Sequence, residues 1–291
     1  MNAVGSTRFA PQWLELREHA DAAARAPELL RPLRARLSGR SDPTAPPEPP
    51  HGLVIRDLGC GTGSMARWLA VRLPGPQRWI LHDHDPALLA HAIGRMPTTA
   101  ADGTPVSAVA EHGDLAALTA TDLAGTSLVT ASALLDLLTR DEVAALAAAC
   151  TGAGCPALLA LSVAGRVELT PADPLDDDLT DAFNAHQRRS DRGRSLLGPD
   201  AVGEAVTAFE RCGATVHVQS SPWRLGGAES ALIAEWLRGW VGAALAQRPE
   251  LAPAAVAYLR RRLAQCAAGE LAVTVHHTDL LALPGQPSEE A

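Results

Sequence analysis

Three glycines at alternate positions, Gly59, Gly61 and Gly63, constrain this chain more than any other feature. Before them lies the apolar run Leu53-Val54-Ile55-Arg56-Asp57-Leu58, which follows Pro49, Pro50 and Gly52 and reads as a buried strand. After them, Met65, Trp68, Leu69 and Leu73 fall on one helical face. Glycine lets the backbone turn tightly and lets a ligand approach the main chain. The helix start beyond it offers free N–H groups and the positive end of its dipole. Residues 53–70 are therefore expected to form a strand, a ligand-binding turn and a helix.

The second strand is expected at residues 78–83, ending in Asp83-His84-Asp85-Pro86. An acid there, about 20 residues past the glycines, is placed to hydrogen-bond a ribose diol. His82 and His84 share a strand face, but no third ligand with metal spacing lies nearby. No metal is expected, and His84 is read as packing beside the ribose. The third strand, 106–111, ends in Glu111-His112-Gly113-Asp114-Leu115. The fourth, 127–131, leads into Ser132-Ala133-Leu134-Leu135-Asp136. Ligands in open α/β sheets sit beyond the carboxyl ends of the strands, which puts Ser132 and Asp136 near the expected site.

A dinucleotide fingerprint would be G-x-G-x-x-G, but the sixth position here is Ser64. Asp57 to Gly63 instead fits acid-x-G-x-G-x-G at every fixed position, and in this the chain resembles class I S-adenosylmethionine-dependent methyltransferases of the small-molecule type. The motifs cover residues 53–136; strand order carries the rest. The resemblance implies a Rossmann-like α/β fold: a seven-stranded, mostly parallel sheet with an antiparallel last strand beside the sixth. It implies S-adenosyl-L-methionine as methyl donor and S-adenosyl-L-homocysteine as product. Carried over residue by residue, it puts Asp57, Gly59, Cys60, Gly61 and Ala131 around the cofactor and Asp83 and His84 at its ribose. Asp114 would accept from the adenine amino group with the Leu115 backbone beside it; alternatively Asp114 caps the next helix. Arg17 would reach the cofactor's carboxylate from an N-terminal lid; alternatively Arg17, Asp21 and Arg25, at four-residue steps, form a solvated row. No Asn/Asp-Pro-Pro-Tyr motif follows the fourth strand, and Cys155-Pro156 is reversed from the cytosine-C5 pattern, so both nucleic-base classes are disfavoured.

Composition narrows the classes further. The net charge is −8, which argues against nucleic acid or an anionic membrane as partner. All 25 basic residues are arginine, excluding lysine Schiff-base chemistry. The five cysteines are odd in number and scattered, which favours reduced thiols in the cytoplasm over disulfides or zinc. The first 18 residues lack the pattern of a signal peptide. The apolar helix at 231–245 contains Glu235 and Arg238 and is too short to cross a bilayer.

Elsewhere, residues 8–37 read as helix broken at Pro27 and Pro32, and 38–50 as a connector. A fifth strand is expected at 157–163, then a polar insert at 165–198 running from acidic to basic. Within it, residues 183–189 have helix character, with Asn184 and Arg188 on one face. The sixth strand, 214–220, ends near Trp223. Helices at 229–246 and 253–267 precede a final strand at 271–277, whose period-2 alternation suits a strand antiparallel to 214–220. The expected organisation is an N-terminal helical lid and linker at 1–50 and a catalytic domain at 51–291, with a helical insertion at 229–267 that forms a homodimer surface or a substrate wall.

The function expected is methyl transfer to a small-molecule acceptor, on oxygen, nitrogen or carbon, in specialised metabolism. His186 and Asp136 are the candidate bases. Ser132, Asn184, Arg188 and Trp223 are the candidate acceptor contacts, by their position on or after the insert. The alternatives are an NAD-dependent oxidoreductase and a catalytically silent cofactor-binding scaffold.

Overall fold

The structure, a computed structural model, describes residues 10–39, 52–113 and 118–285. Asp114 and Leu115, most of the expected connector and the tail from residue 286 lie outside these.

The main sheet is built from β1 (Leu53–Leu58), β2 (Gln77–Asp83), β3 (Val106–His112), β4 (Leu128–Ser132), β5 (Ala157–Thr170), β8 (Ala214–Ser220), β9 (Trp223–Leu225) and β10 (Ala272–Pro284). A two-residue hairpin, β6 (Ser190–Asp191) and β7 (Arg194–Ser195), stands apart. Strand order is β3-β2-β1-β4-β5-β10-β8, with β9 beside β10. The first five pair in parallel, whereas β10 is antiparallel to both β5 and β8. This is the Rossmann-like sheet with a reversed strand before its edge.

The pleat sorts side chains onto two faces. Ile55, Leu158, Ala160 and Leu281 go to one face, under α2 (Leu30–Ser38), α3 (Ser64–Ala70) and α4 (Pro86–Gly94). Leu58, Leu159, Leu280 and Ala282 go to the other, under α5 (Arg140–Gly152) and α7 (Ala201–Arg211). Strands covered on both sides have no solvent face, which is why the start of β5, Ala157–Ser162, is continuously buried. Each leucine so enclosed contributes about 1.5–3 kcal/mol.

β5 does not end where the sequence suggested. It continues through Thr170, and from Val163 burial alternates. The expected insert at 165–198 thus begins as strand, pairing with Ala272–Val275 of β10. The final strand runs antiparallel to β8 as expected, but its pairing residues are Thr278–Pro284; the expected segment 271–277 lies against the β5 extension and β9. Pro32 does not break α2, because it falls in the first turn, where N–H groups have no intrahelical partner.

The extended ribbon carries a third apolar cluster beyond the carboxyl ends of the parallel strands. It joins α1 (Pro11–Ala24), α6 (Asp176–Gln187), α8 (Ser230–Gln247) and α9 (Ala252–Ala267). Trp236 and Trp240 stack at 5.1 Å inside it. Arg262, buried on α9, donates to both Asp176 oxygens at 2.7 and 2.6 Å, and the Tyr258 hydroxyl donates to the same carboxylate at 2.6 Å. Removing one partner of such a buried pair costs about 3–5 kcal/mol. The late helices therefore hold α6 in place over the sheet.

Candidate active site

The glycine turn adopts the backbone its sequence requires. Gly59, Gly61 and Gly63 have φ of 59°, 54° and 83°, a region that side chains disfavour. Asp83, at the end of β2, fixes the turn: its carboxylate accepts from Gly61 N and from Asp85 N, each at 2.9 Å. A carboxylate has about four acceptor positions; His84 Nδ1 lies 3.3 Å from Oδ1, and capacity remains for a ligand. Leu14 of α1 closes over the turn; a Cβ on Gly61 would lie 3.2 Å from its Cδ1.

Between turn and lid lies a cavity of about 1250 Å³. Ligand pockets usually measure about 300–1,000 Å³, so there is room for a nucleotide-sized cofactor and a second small molecule. Arg17, Asp57, Gly59, Cys60, Gly61, Asp83, His84, Ser132 and His186, all expected from the sequence, line it. Asp57 is wholly buried; one oxygen accepts from the Thr130 hydroxyl at 2.7 Å and the other finds no partner among the described residues. Burial pushes its carboxyl up to about 7.

The N-terminal row is not solvated. Asp21 and Arg25 are buried, at 4% and 2% exposure. Arg17 Nε donates to Asp21 at 3.0 Å, and the Trp223 indole N–H donates to the same carboxylate at 3.0 Å. Arg17 lies 5.0 Å from the Trp223 ring centre. Trp223 thus backs Arg17 rather than forming a wall of the cavity. Arg25, which the solvated-row reading placed at the surface, donates from Nη2 to Ser64 Oγ at 3.0 Å and to Ser132 Oγ at 3.2 Å. Burial works against its charge, and the carboxylates of Asp21, Asp279 and Asp57 favour it. It ties the lid to the start of α3 and the end of β4.

At the other end, α6 and the β6–β7 hairpin complete the cavity. Arg194 of the hairpin donates to Glu142 at 3.0 and 2.6 Å, and Glu142 forms a capping box with Thr139 at the start of α5. His186 and Arg189 line this end. Burial first, then Arg189, lowers the His186 pKa, so its imidazole is neutral at pH 7. Asp136, half-buried, is pushed up to about 6 by desolvation, while the charges of Arg17 and Arg189 act in the opposite sense.

Four further residues expected here do not line the cavity, among them Asp136, which sits in the short turn Leu135–Leu137 after β4. Ala131, within β4, is buried in the core. Asn184 donates to the Gly165 carbonyl at 2.7 Å, holding α6 to the β5 extension. Arg188 turns outward and pairs with Asp200 at 2.6 and 2.7 Å. Helical spacing put these last two on one face, but that face meets β5 and the loop before α7, not the cavity.

No protein-family model matches the chain, and no curated protein matches it. Among solved structures it is similar to the apo form of the mycolic acid cyclopropane synthase CmaA1 (11% identity, 94% of this chain and 100% of that one, TM-score 0.45). It is also similar to the cyclopropane synthase MmaA2 from Mycobacterium tuberculosis (13%, 97% and 100%, TM-score 0.43). A third is a SAM-dependent methyltransferase from Geobacter sulfurreducens in complex with S-adenosyl-L-homocysteine (17%, 95% and 99%, TM-score 0.42). These likenesses are weak, and the fold stands on its own strand order and register.

Proposed function

We propose that the protein is an S-adenosylmethionine-dependent methyltransferase acting on a small-molecule acceptor. The observation that carries this reading is the acid-and-glycine turn locked to Asp83 within a sheet whose β10 is reversed beside its edge strand. A dinucleotide-binding sheet continues in parallel to its sixth strand. The residues present fit the cofactor. Gly61 gives close backbone approach, Asp83 keeps acceptor positions for a ribose diol, and the unpaired oxygen of Asp57 favours a positively charged group nearby. Arg17 faces the cavity from the lid, suited to a carboxylate, although Asp21 already engages its Nε.

Bound S-adenosylmethionine supplies an electrophilic methyl on a sulfonium. The chain's part is alignment, exclusion of water under Leu14 and Arg17, and removal of a proton where the acceptor carries one. Neutral His186 is the base on the cavity wall; Asp136, the other candidate from the sequence, does not line the cavity. The reading is tested by calorimetry with S-adenosylmethionine, S-adenosylhomocysteine and NADH on the full chain. Binding of both sulfur compounds without NADH is the expected result. Tight NADH binding with no response to either would refute it.

A further inference from the structure

Four arginines line the cavity: Arg17, Arg189, Arg192 and Arg194. Their neutralisation is unequal. Arg17 is bonded to Asp21, and Arg194 is bidentate on Glu142. Arg192 has an interaction of its own. Arg189 donates from Nη1 to the His186 carbonyl at 3.2 Å, and forms no ion pair with a carboxylate of the described residues. Asp136 feels its charge but does not bond to it. Arg188, its neighbour in sequence, turns out of the cavity to Asp200. The result is a half-buried guanidinium facing a cavity without a bonded counter-ion among the described residues, beside His186, in a cavity that Leu134 and Leu137 also line.

We infer that Arg189 anchors an acidic group on the acceptor, making the preferred acceptor an amphipathic small molecule with a carboxylate. The inference rests on the methyl-transfer reading for calling that molecule an acceptor. A planar guanidinium matches a carboxylate through two parallel hydrogen bonds. A guanidinium with no bonded carboxylate suits a single negative charge. A phosphate dianion would require a second cation, and Arg17 and Arg194 are already paired with Asp21 and Glu142. The apolar side chains that also line the cavity suit the rest of an organic acid, and the anchor would hold its nucleophilic group on the side of His186.

The test uses the full chain, with and without saturating S-adenosylhomocysteine, titrated with sodium benzoate, benzamide and phenyl phosphate. Benzoate is expected to bind at least ~10-fold more tightly than benzamide and more tightly than phenyl phosphate. Arg189→Gln should erase the preference, and Arg189→Lys should retain part of it because the charge stays while the fork is lost. Both variants should bind S-adenosylhomocysteine within about twofold of the unmodified chain. Equal binding of benzoate and benzamide, no binding of either, preference for phenyl phosphate, or a preference surviving Arg189→Gln would overturn the inference. So would a loss of S-adenosylhomocysteine affinity in Arg189→Gln, which would make the residue a cofactor ligand. If S-adenosylhomocysteine does not bind the unmodified chain, the methyl-transfer reading falls, and the benzoate–benzamide contrast on the unliganded protein still decides the anion site.

Discussion

Gly61→Ala separates two roles that a glycine in this turn can have. Its φ of 54° costs a residue with a Cβ about 1–2 kcal/mol. Gly75 supplies the control: φ is 87°, and a Cβ there would meet nothing within 4 Å. Both alanine variants therefore lose about the same stability. At roughly 2–4 °C per kcal/mol for a chain of this size, each melts about 2–8 °C lower. Only at Gly61 does the new carbon meet a neighbour, Leu14 Cδ1 at 3.2 Å, and only there does it stand between loop and lid. Lid or loop must shift by a few tenths of an ångström, in a site where the ligand touches backbone. Calorimetry with S-adenosylhomocysteine should show about tenfold or greater weakening for Gly61→Ala and none for Gly75→Ala. Equal weakening in both would mean that strain, not close approach, matters. Unchanged affinity in Gly61→Ala would remove the turn from the binding site.

Two further outcomes follow from the geometry. Asp57, raised from its ordinary value to about 7 by burial, favours the folded state when protonated; this contribution is complete below the unfolded pKa near 4 and is lost as pH rises to about 7. Asp57→Asn should thus be less sensitive to pH than the parent across that window in thermal melts, by on the order of a few kcal/mol; parallel curves would show that the carboxyl is not desolvated. Asn184→Ala should lower stability by about 1 kcal/mol through its lost bond to Gly165, and Arg188→Ala by less than about 0.5 kcal/mol because its pair with Asp200 is exposed, with cofactor and acceptor binding unchanged in both. A turnover defect at saturating cofactor in either would return that residue to the acceptor site.

The parts of the fold legible in the sequence are those where one physical demand dominates. The turn was legible because only glycine suits three left-handed positions in five residues, and Asp83 because a polar group closing an apolar strand must have a partner. The β5 extension was missed because its charges suggested a loop, although a period-2 pattern was present. Val163, Gly165, Val167 and Leu169 alternate with Ala164, Arg166 and Glu168, and the structure buries the first set more than the second. The rest depended on contacts between distant segments. Arg25 meets Ser64 and Ser132 across 39 and 107 residues. Asp279 accepts from Ala26 N, Leu161 N and the Ser221 hydroxyl, joining four segments at one buried carboxylate. Within α6 and the turn after it, Arg188 and Arg189 are chemically identical in sequence; the position of Asp200 draws one outward and leaves the other in the cavity.

The most direct measurement is a crystal structure of the full chain with S-adenosylhomocysteine. The account predicts the ribose hydroxyls within hydrogen-bond distance of the Asp83 carboxylate, the backbone at Gly59–Gly61 against the ligand, and the sulfur open toward the end of the cavity that holds His186 and Arg189. A ligand bound elsewhere, or one seated in the cavity with its ribose away from Asp83, would contradict it.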